Sequence, residues 1–483
     1  MVAVGIDIGT SSVKALAMDE HGDVIATSRM PYPTSHRPGG IAEQDPDDYM
    51  ASATRALADL SVDLRTVTSI GLAGHTPTAV LVDHDHRPTR PAMTWQDTRA
   101  SAESDELAAT FGDATALFGT PLAWSPTALP AKLLWLQRNE PDVVSRTRWV
   151  LQPKDYVSLQ LTGAPSSDAW SSKGLCDVRD GSPATEFLQH VGWSEDVCPP
   201  IAPAWTALGT LRAVPAARLG LSAGIPISVG WSDALAAVLR TGAFSTPGAF
   251  IVTGTSDIVG QTFVGEAPPV DGLLTLPSAC APLSASYGPT QSSGDSIAWL
   301  SRALNRTIDE LFALAAQPTN DPPLFVPFLR GERTPLWRSD VRAVFMNVSA
   351  EHGPGDLLEA VMLGVSLSAR HVLERAQGPG GGQPGPIHIA GSSTGITRWT
   401  EARLRTLGST LALHREASPS AAGAAALGAA AAGAVLDDVV QRMMRTAKQV
   451  TPTPEQVADS DRLFAAYLKL VDFALEMADD KRR

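Results

Sequence analysis

Cysteine, aromatic side chains and surplus positive charge are all scarce in this chain of 483 residues. The three cysteines, Cys176, Cys198 and Cys280, are scattered and form no C-x-x-C pair. They therefore indicate a reducing compartment, and neither a disulfide framework nor a zinc site. Acidic residues outnumber basic ones by 51 to 38, for a net charge of −13. This balance argues against a nucleic-acid partner, because phosphate backbones are bound through clustered Lys and Arg.

Long apolar runs are missing too. The nearest candidate, SAAGAAALGAAAAGAVL (420–436), is mildly hydrophobic and interrupted by Gly. It favours a helix packed closely in the second half of the protein over a membrane span, which needs ~18 apolar residues. No basic segment precedes an apolar one at the start, so no signal peptide is evident. With 44 % hydrophobic and 18 % charged residues, we expect a cytoplasmic protein of two large domains and no membrane partner.

An aspartate, Asp7, interrupts the opening apolar strand and is followed by Gly-Thr-Ser-Ser. A second alternating strand begins directly afterwards (12–19), so this segment joins two antiparallel strands, whereas a P-loop or Rossmann loop would lead into a helix. Asp7 either makes a strand-end turn hydrogen bond or holds Mg²⁺, because a lone buried carboxylate needs a partner. In the second case the groups near phosphate oxygens would be those of Gly9, Thr10, Ser11, Ser12 and Lys14.

Gly-Thr-Ser recurs at 254–256, about half a chain after 9–11 and again between two apolar strands. An internal duplication explains this pattern, with domains at 1–240 and 241–483 that each open with a glycine hairpin.

A second carboxylate, Asp233, follows the strand-like segment ISVGWS (227–232) where a helix begins. One interpretation is an ordinary helix N-cap. The other is a general base, since an alcohol that attacks a phosphoryl group needs a carboxylate within hydrogen-bond reach to take its proton.

Several segments together resemble the FGGY carbohydrate kinases, and within them most the xylulokinases, over nearly the whole chain. The matching segments are GIDIGTSSVKALAMDEHGDVI (5–25), IAEQDPDDYM (41–50), RPAMTWQDTRA (90–100), LQPKDYVSLQLTG (151–163), VGWSDALAA (229–237), GTSD (254–257) and GERTP (331–335). The resemblance implies an α/β fold of two duplicated actin/hexokinase-like (ribonuclease H-like) ATPase domains with a cleft between them. It implies ATP-dependent phosphorylation of a sugar hydroxyl, with a ketopentose such as xylulose as acceptor.

The same resemblance assigns sugar binding and the first phosphate hairpin to 1–240, and nucleotide binding to 241–483. Asp233 would be the base, and Asp7 and Asp233 would serve Mg²⁺. The expected substrate residues are His75, Thr76, Trp95, Gln96, Asp97 and Asp233. The expected ATP-site residues are Gly9, Thr10, Ser11, Ser12, Lys14, Gly254, Thr255, Ser256, Gly294, Gly391, Ser392 and Ser393. Relatives are often dimers, which by analogy implies a homodimer.

Two segments depart from the family pattern. Many xylulokinases have Gln-Met-His-Gly where this chain has His75-Thr76-Pro77-Thr78, and Pro77 can donate no hydrogen bond. The acceptor could then be a polyol, a deoxy-sugar or an aldonate, with Arg99 as the nearby cation for an aldonate. The adenine-side loop, usually Gly-Gly-Gly, reads Gly-Ser-Ser-Thr (391–394). Two other classes remain: an actin-like ATPase acting on a protein partner, and a sugar sensor without catalysis.

Overall fold

The computed structural model describes residues 2–315, 321–378, 385–416 and 418–480. The chain divides into two compact units. Unit 1 comprises Met1–Ser245, Leu276–Ser284 and Ser418–Arg445, and unit 2 comprises Thr246–Thr275, Ala285–Ala417 and Thr446–Arg483. No helix within the described ranges is both long enough and apolar enough to cross a membrane.

Both units contain strands and helices. The strands are β1 (Val2–Ile8), β2 (Ser12–Met18), β3 (Val24–Pro31), β4 (Ser35–Arg37), β5 (Ile41–Gln44), β6 (Val67–Gly74), β7 (Val80–Val82), β8 (Ala92–Met93), β9 (Trp149–Leu151), β10 (Ala207–Thr210), β11 (Pro226–Ser228), β12 (Trp231–Ser232), β13 (Ala249–Thr253), β14 (Asp257–Phe263), β15 (Leu274–Leu276), β16 (Ser284–Pro289), β17 (Leu324–Val326), β18 (Val344–Met346), β19 (Ile387–Gly391), β20 (Leu411–His414) and β21 (Lys448–Val450). The helices are α1 (Pro46–Ala58), α2 (Ser101–Phe111), α3 (Thr115–Phe118), α4 (Leu129–Asn139), α5 (Pro141–Arg146), α6 (Pro153–Thr162), α7 (Thr185–His190), α8 (Ala213–Leu219), α9 (Asp233–Arg240), α10 (Gly294–Ala303), α11 (Ile308–Leu314), α12 (Pro354–Gln377), α13 (Thr397–Leu407), α14 (Pro419–Ala431), α15 (Leu436–Met444) and α16 (Pro454–Asp480).

Unit 1 is organised around a sheet with the strand order β10-β11-β6-β1-β2-β3, and β12 pairs with β6 as well. Strand β1 is antiparallel to β2 and parallel to β6, and β6 is parallel to β11 and β12. The predicted hairpin between β1 and β2 is present, closed by a hydrogen bond from Gly9 N to Ser12 O at 3.1 Å. The carboxyl ends of β1, β6 and β12 therefore meet at one edge of the sheet.

Unit 2 repeats this arrangement in a sheet of order β15-β16-β14-β13-β19-β20-β21. Strand β13 is antiparallel to β14 and parallel to β19, which is parallel to β20. These directions match those of β1, β2, β6 and β11, so the duplication predicted from the recurring Gly-Thr-Ser is confirmed in the topology.

The Ala-rich helix α14 packs closely, as expected, but it packs in unit 1 and not with the second half of the protein. It lies directly on β1 and β6. A Cβ atom added to Gly5 would be 1.8 Å from the carbonyl oxygen of Ala421, and one added to Gly71 would be 1.6 Å from that of Ala424. Only glycine on the strands and small residues on the helix permit this approach, which places the beginning of α14 beside the end of β1.

The opposite face of the unit 1 sheet is covered by α1 and α6. Their buried side chains, including Tyr49, Leu57 and Tyr156, form one core with Ile6 and Leu72 of the sheet. Burial is almost continuous along β1 and β6, because a sheet packed on both faces requires buried side chains on both.

Candidate active site

Asp7 lies near the carboxyl end of β1 and is only 1 % exposed. Lys14, its cross-strand partner on β2, donates to Oδ2 at 3.2 Å. Ser420, in the first turn of α14, donates to the same oxygen at 2.5 Å. The other oxygen, Oδ1, is buried and has no hydrogen-bond partner among the described residues. A buried carboxylate oxygen without a donor is a position where a cation or water binds.

The charge of Asp7 also acts on its neighbour Lys14. Attraction to the Asp7 carboxylate raises the pKa of Lys14 against the opposing effect of burial. Lys14 is therefore charged at neutral pH, and its side chain is half-buried at the hairpin.

Asp233 is the first residue of α9 and accepts a hydrogen bond from Ala234 N at 2.8 Å. The N-cap of this helix is Ser232, whose Oγ accepts from Leu235 N at 3.4 Å. Asp233 is therefore not the cap of its helix. Burial, and then the negative charge of Asp7, raise the pKa of Asp233 to about 6.

The two carboxylates lie on either side of β6, Asp7 in β1 and Asp233 directly after β12. In register, Asp7 pairs with Ala73 from one side, and Trp231 pairs with Ala73 from the other. Strands lie about 4.8 Å apart, so the two outer backbones are separated by about 10 Å at this level. The space over the end of β6 is thus bordered by two acidic groups, one of which titrates close to neutral pH.

The polar side chains of the first hairpin have defined partners. The Thr10 hydroxyl accepts from the Trp95 indole Nε1 at 2.9 Å, and the Ser12 hydroxyl accepts from Arg29 Nε at 2.9 Å. Ser11 at the tip is exposed. The indole contact brings Trp95, predicted on the sugar side, next to the predicted phosphate hairpin.

The segment Trp95–Asp97 divides between accessible and buried side chains. Trp95 is half-buried and Gln96 is exposed. Asp97 is fully buried and accepts from Ala42 N and from Arg99 Nε, each at 2.9 Å. Burial alone would raise the pKa of Asp97, but the hydrogen bonds from Arg99 and Ala42 outweigh it and lower the pKa. Asp97 shapes the loop, whereas Trp95 and Gln96 are available to a ligand.

His75 directly follows β6 and is 1 % exposed. Its Nδ1 lies 2.9 Å from the Thr78 hydroxyl, while Nε2 is buried without a hydrogen-bond partner in the described part of the chain. Burial lowers the pKa of His75 to about 4, so the ring is neutral. Thr76 is half-buried beside it.

Lys132 is a residue that the sequence analysis missed. It lies in α4, is fully buried, and its Nζ donates to the carbonyl oxygens of Thr94 at 2.7 Å and Pro77 at 3.0 Å. It thereby ties the loop after β6 to the loop that carries Trp95. Burial lowers the pKa of Lys132 to about 7. Its signal in the sequence is a single lysine within the apolar helical stretch ALPAKLLWL (128–136).

Unit 2 assembles its predicted nucleotide residues at the corresponding edge of its own sheet. Gly254 and Thr255 are exposed at the hairpin after β13. Their carbonyl oxygens accept from Gly294 N at 3.1 Å and from Ser293 N at 2.9 Å, so α10 begins against the hairpin. A Cβ on Gly294 would be 2.8 Å from the Gly254 oxygen, which explains the glycine.

The loop after β19 joins the same edge, because Gly391 pairs with Thr253 in parallel register. Ser393 is buried, donates to the Thr253 hydroxyl at 2.8 Å and accepts from Arg403 at 2.8 Å. Thr394 is also buried and donates to the Gly391 carbonyl at 2.8 Å. Two of the side chains that replace glycines therefore point into the protein, and the exposed one is Ser392.

Comparison with known proteins agrees with these observations. Residues 2–240 match the N-terminal domain of the FGGY family of carbohydrate kinases, and residues 249–432 match its C-terminal domain. The xylulose kinase of Lactococcus lactis is 30 % identical over 384 residues, which cover 76 % of this chain and 75 % of the relative. The xylulose kinase of Bacillus subtilis is 26 % identical, with 96 % of this chain and 95 % of the relative covered.

Among solved structures, a xyloylose (xylulose) kinase from Brucella ovis superposes with a TM-score of 0.86 at 28 % identity, covering 99 % of this chain and all of the other. Fold and relatives together define a two-domain phosphotransferase of the actin/hexokinase-like class, as predicted. The chain belongs to the FGGY family of carbohydrate kinases. It is an enzyme that phosphorylates a sugar with ATP.

Proposed function

We propose that this kinase phosphorylates a ketopentose such as xylulose, with Mg-ATP as donor and Asp233 as general base. The observation that carries the proposal is the placement of Asp233 across β6 from Asp7, with its pKa raised to about 6. Relatives named xylulose kinase, at 26–30 % identity over most of the chain, support the choice of acceptor.

In the proposed reaction the sugar hydroxyl gives its proton to Asp233 while its oxygen bonds to the γ-phosphorus of ATP. The bond between that phosphorus and the bridging oxygen of ADP breaks, and the electron pair leaves with ADP. A pKa of about 6 suits the base, because the carboxylate is ionised at neutral pH yet remains basic enough to take a proton.

The residues present fit a divalent cation. Asp7 Oδ1 is buried and has no partner in the described ranges, and a carboxylate oxygen is a preferred ligand of Mg²⁺. Those ranges contain no cluster of three His, Cys, Asp or Glu residues suited to a metal. Mg²⁺ commonly binds through one or two carboxylates together with substrate phosphates. We assign this role to Asp7, with Asp233 on the other side of β6. When bound, the ion would shield the charge of the phosphates.

The remaining roles belong to the same proposal. Residues 1–240 bind the sugar, where the face of Trp95 covers the C–H surface and polar groups of Gln96, His75 and Thr76 meet hydroxyls. Asp97 does not contact the sugar in this proposal; its hydrogen bonds to Ala42 and Arg99 hold the loop that carries Trp95 and Gln96. The other half binds the nucleotide through the residues Gly254, Thr255, Ser256, Gly294, Gly391, Ser392 and Ser393, and the active form is a homodimer.

A second candidate keeps the chemistry and changes the acceptor to a polyol or a deoxy-sugar. Pro77 motivates it, because it occupies the family's histidine position without a donor. An aldonate is less well supported, since Arg99 donates to Glu43 at 2.7 Å and to Asp97 at 2.6 Å. That guanidinium is already neutralised by two carboxylates and offers no unpaired charge to a substrate carboxylate.

The test is ADP release in a coupled assay with Mg-ATP across ketoses, aldoses, polyols, deoxy-sugars and aldonates. We expect turnover on a ketopentose that is lost in Asp233→Asn and kept in Asp59→Asn, an exposed carboxylate at the end of α1. Turnover confined to a polyol or deoxy-sugar would select the second candidate. Equal rates in Asp233→Asn and its parent would remove Asp233 as the base.

A further inference from the structure

Arg333 brings positive charge to the unit 2 hairpin, Gly254–Ser256, whose own side chains are uncharged. It lies between β17 and β18, and its Nη2 donates to the Ser256 hydroxyl at 3.1 Å and to the Thr290 carbonyl at 2.6 Å. Within the described ranges Arg333 forms no ion pair. The carboxylate that acts on it electrostatically is that of its neighbour Glu332. In a protein with a net charge of −13, an arginine beside a polar loop that forms no ion pair there suits an anionic ligand.

Most of the donors of this guanidinium are not used by the protein. Its Nε is buried without a hydrogen-bond partner, and its Nη1 makes no hydrogen bond to any residue that the structure describes. A guanidinium carries five N–H donors and stays protonated in proteins. The two N–H donors of Nη1 therefore remain for a ligand with several acceptor oxygens, and a phosphate group has that chemistry.

The backbone around Arg333 is held in place by its neighbour, Glu332. The buried Glu332 carboxylate accepts from Arg333 N at 2.8 Å and from Gln291 N at 2.5 Å. The Ser368 hydroxyl on α12 donates to its other oxygen at 3.3 Å. The arginine thus extends from a fixed loop, which reduces the entropy that it loses on binding a ligand.

The unit 1 hairpin has a similar contact one residue further along, in which Arg29 Nε donates to the Ser12 hydroxyl at 2.9 Å. In each unit an arginine from another element donates to a serine hydroxyl of the glycine hairpin. A hydroxyl that accepts from an arginine still has its own proton to donate. Ser256 can therefore donate to the same anion that Arg333 attracts.

We propose that Arg333 binds a phosphate group of the nucleotide and orients the Ser256 hydroxyl toward it. The proposal rests on the function proposed above, in which Gly254–Ser256 receives the phosphates of ATP. It adds a charged phosphate contact from the GERTP segment (331–335) to a hairpin that otherwise offers backbone amides and hydroxyls.

The experiment compares ligands with and without phosphates on the full chain. ADP with Mg²⁺ is titrated by calorimetry, and adenosine by ligand-observed NMR, into the parent and into Arg333→Gln, Arg333→Lys and Arg342→Gln. Arg342 is the matched control, because it is exposed in the same region, and its partners among the described residues are the carbonyl oxygens of Ser339 and Val341. We expect Arg333→Gln to weaken ADP binding about 10- to 100-fold with unchanged adenosine binding. Arg333→Lys should fall between, and Arg342→Gln should equal the parent.

Unchanged ADP affinity in Arg333→Gln, or an equal loss for ADP and adenosine, would overturn the proposal. If Arg333→Gln does not fold, the ADP affinities of Arg333→Lys and Ser256→Ala test the proposal in its place. Parental ADP affinity in both variants would overturn the proposal as well. Sugar-dependent ATP turnover, measured on the parent, distinguishes a failure of the Arg333 proposal from a failure of the proposed function. If the parent turns over ATP with a sugar and binds ADP, the proposed function stands even when the Arg333 variants contradict the role of Arg333. If the parent does neither, both proposals are overturned.

Discussion

The two glycine hairpins have the same strand pairing, but the charged groups around them lie at different positions. When their Gly-Thr-Ser segments are aligned, the position of Asp7 in unit 1 corresponds to Val252 in unit 2. Unit 1 has a buried carboxylate before its glycine, with an ammonium and a second carboxylate nearby. Unit 2 has a valine at that position, and its buried carboxylate, Asp257, follows the hairpin instead. The same topology therefore provides two different sites, and we infer that unit 1 carries the reacting groups while unit 2 holds the nucleotide.

The largest expected effect is a loss of kcat when the proposed base in unit 1 is removed. Asp233→Asn should lower kcat about 10²- to 10⁴-fold, because the hydroxyl loses its proton acceptor, with little change in the KM for ATP. Ser256→Ala in unit 2 should instead raise the KM for ATP and leave most of kcat. Steady-state kinetics with both substrates varied would check the pair, and a large KM effect in Asp233→Asn would contradict the division of roles.

The pH dependence of the parent follows from the same residue. The base acts when ionised, and the pKa of Asp233 is about 6, so kcat/KM for the sugar should fall about tenfold per pH unit below that value. A profile that stays flat between pH 7 and pH 5 would contradict the assignment.

Gly71→Ala tests the helix that covers the reactive edge. The new Cβ would overlap the backbone oxygen of Ala424 at 1.6 Å, so α14 must move. We expect a loss of about 3 kcal/mol in the free energy of unfolding, measured by urea denaturation. Gly395→Ala, where no atom lies within 4 Å of an added Cβ, is the control and should change stability by less than about 1 kcal/mol.

Lys132 should have a smaller effect, which is visible in how the free energy of unfolding depends on pH. Its pKa is lowered from 10.5 to about 7 on folding, so the unfolded chain binds more protons between these values, and this group makes stability rise with pH there. Lys132→Met should remove that rise and cost about 1–3 kcal/mol at pH 7, because the carbonyl oxygens of Thr94 and Pro77 lose their donor. Thermal unfolding at several pH values would check it, and an unchanged pH slope in the variant would refute it.

Ser420→Ala is expected to have the smallest effect. Loss of one hydrogen bond to Asp7 Oδ2 should loosen the carboxylate and lower kcat about 3- to 10-fold, the equivalent of about 1 kcal/mol. The concentration of Mg²⁺ needed for half-maximal rate should rise, and the KM for the sugar should not. Ser420→Thr, which keeps a hydroxyl, should restore part of the loss, and parental Mg²⁺ dependence in Ser420→Ala would contradict the role.

Local pattern predicted the hairpins, the duplication and the two carboxylates, because strand alternation and glycine signals depend on neighbouring residues. It left open whether Asp233 caps its helix, and only the coordinates show that Ser232 does. It also expected α14 with the second half, since chain order was the only guide. Lys132 escaped notice because its carbonyl partners are distant in sequence.

By itself, the sequence determined the class of fold, the family and the identity of the acidic residues, since these depend on residue types at short spacings. The tertiary structure decided which oxygens are already satisfied. It commits Asp97 and Arg99 to each other and brings Ser420 to Asp7 from 413 residues away. Among the described residues it gives Asp7 Oδ1 no donor. The physical reason is that hydrogen bonds, burial and pKa shifts depend on distances in space, which folding sets between residues that no local pattern relates.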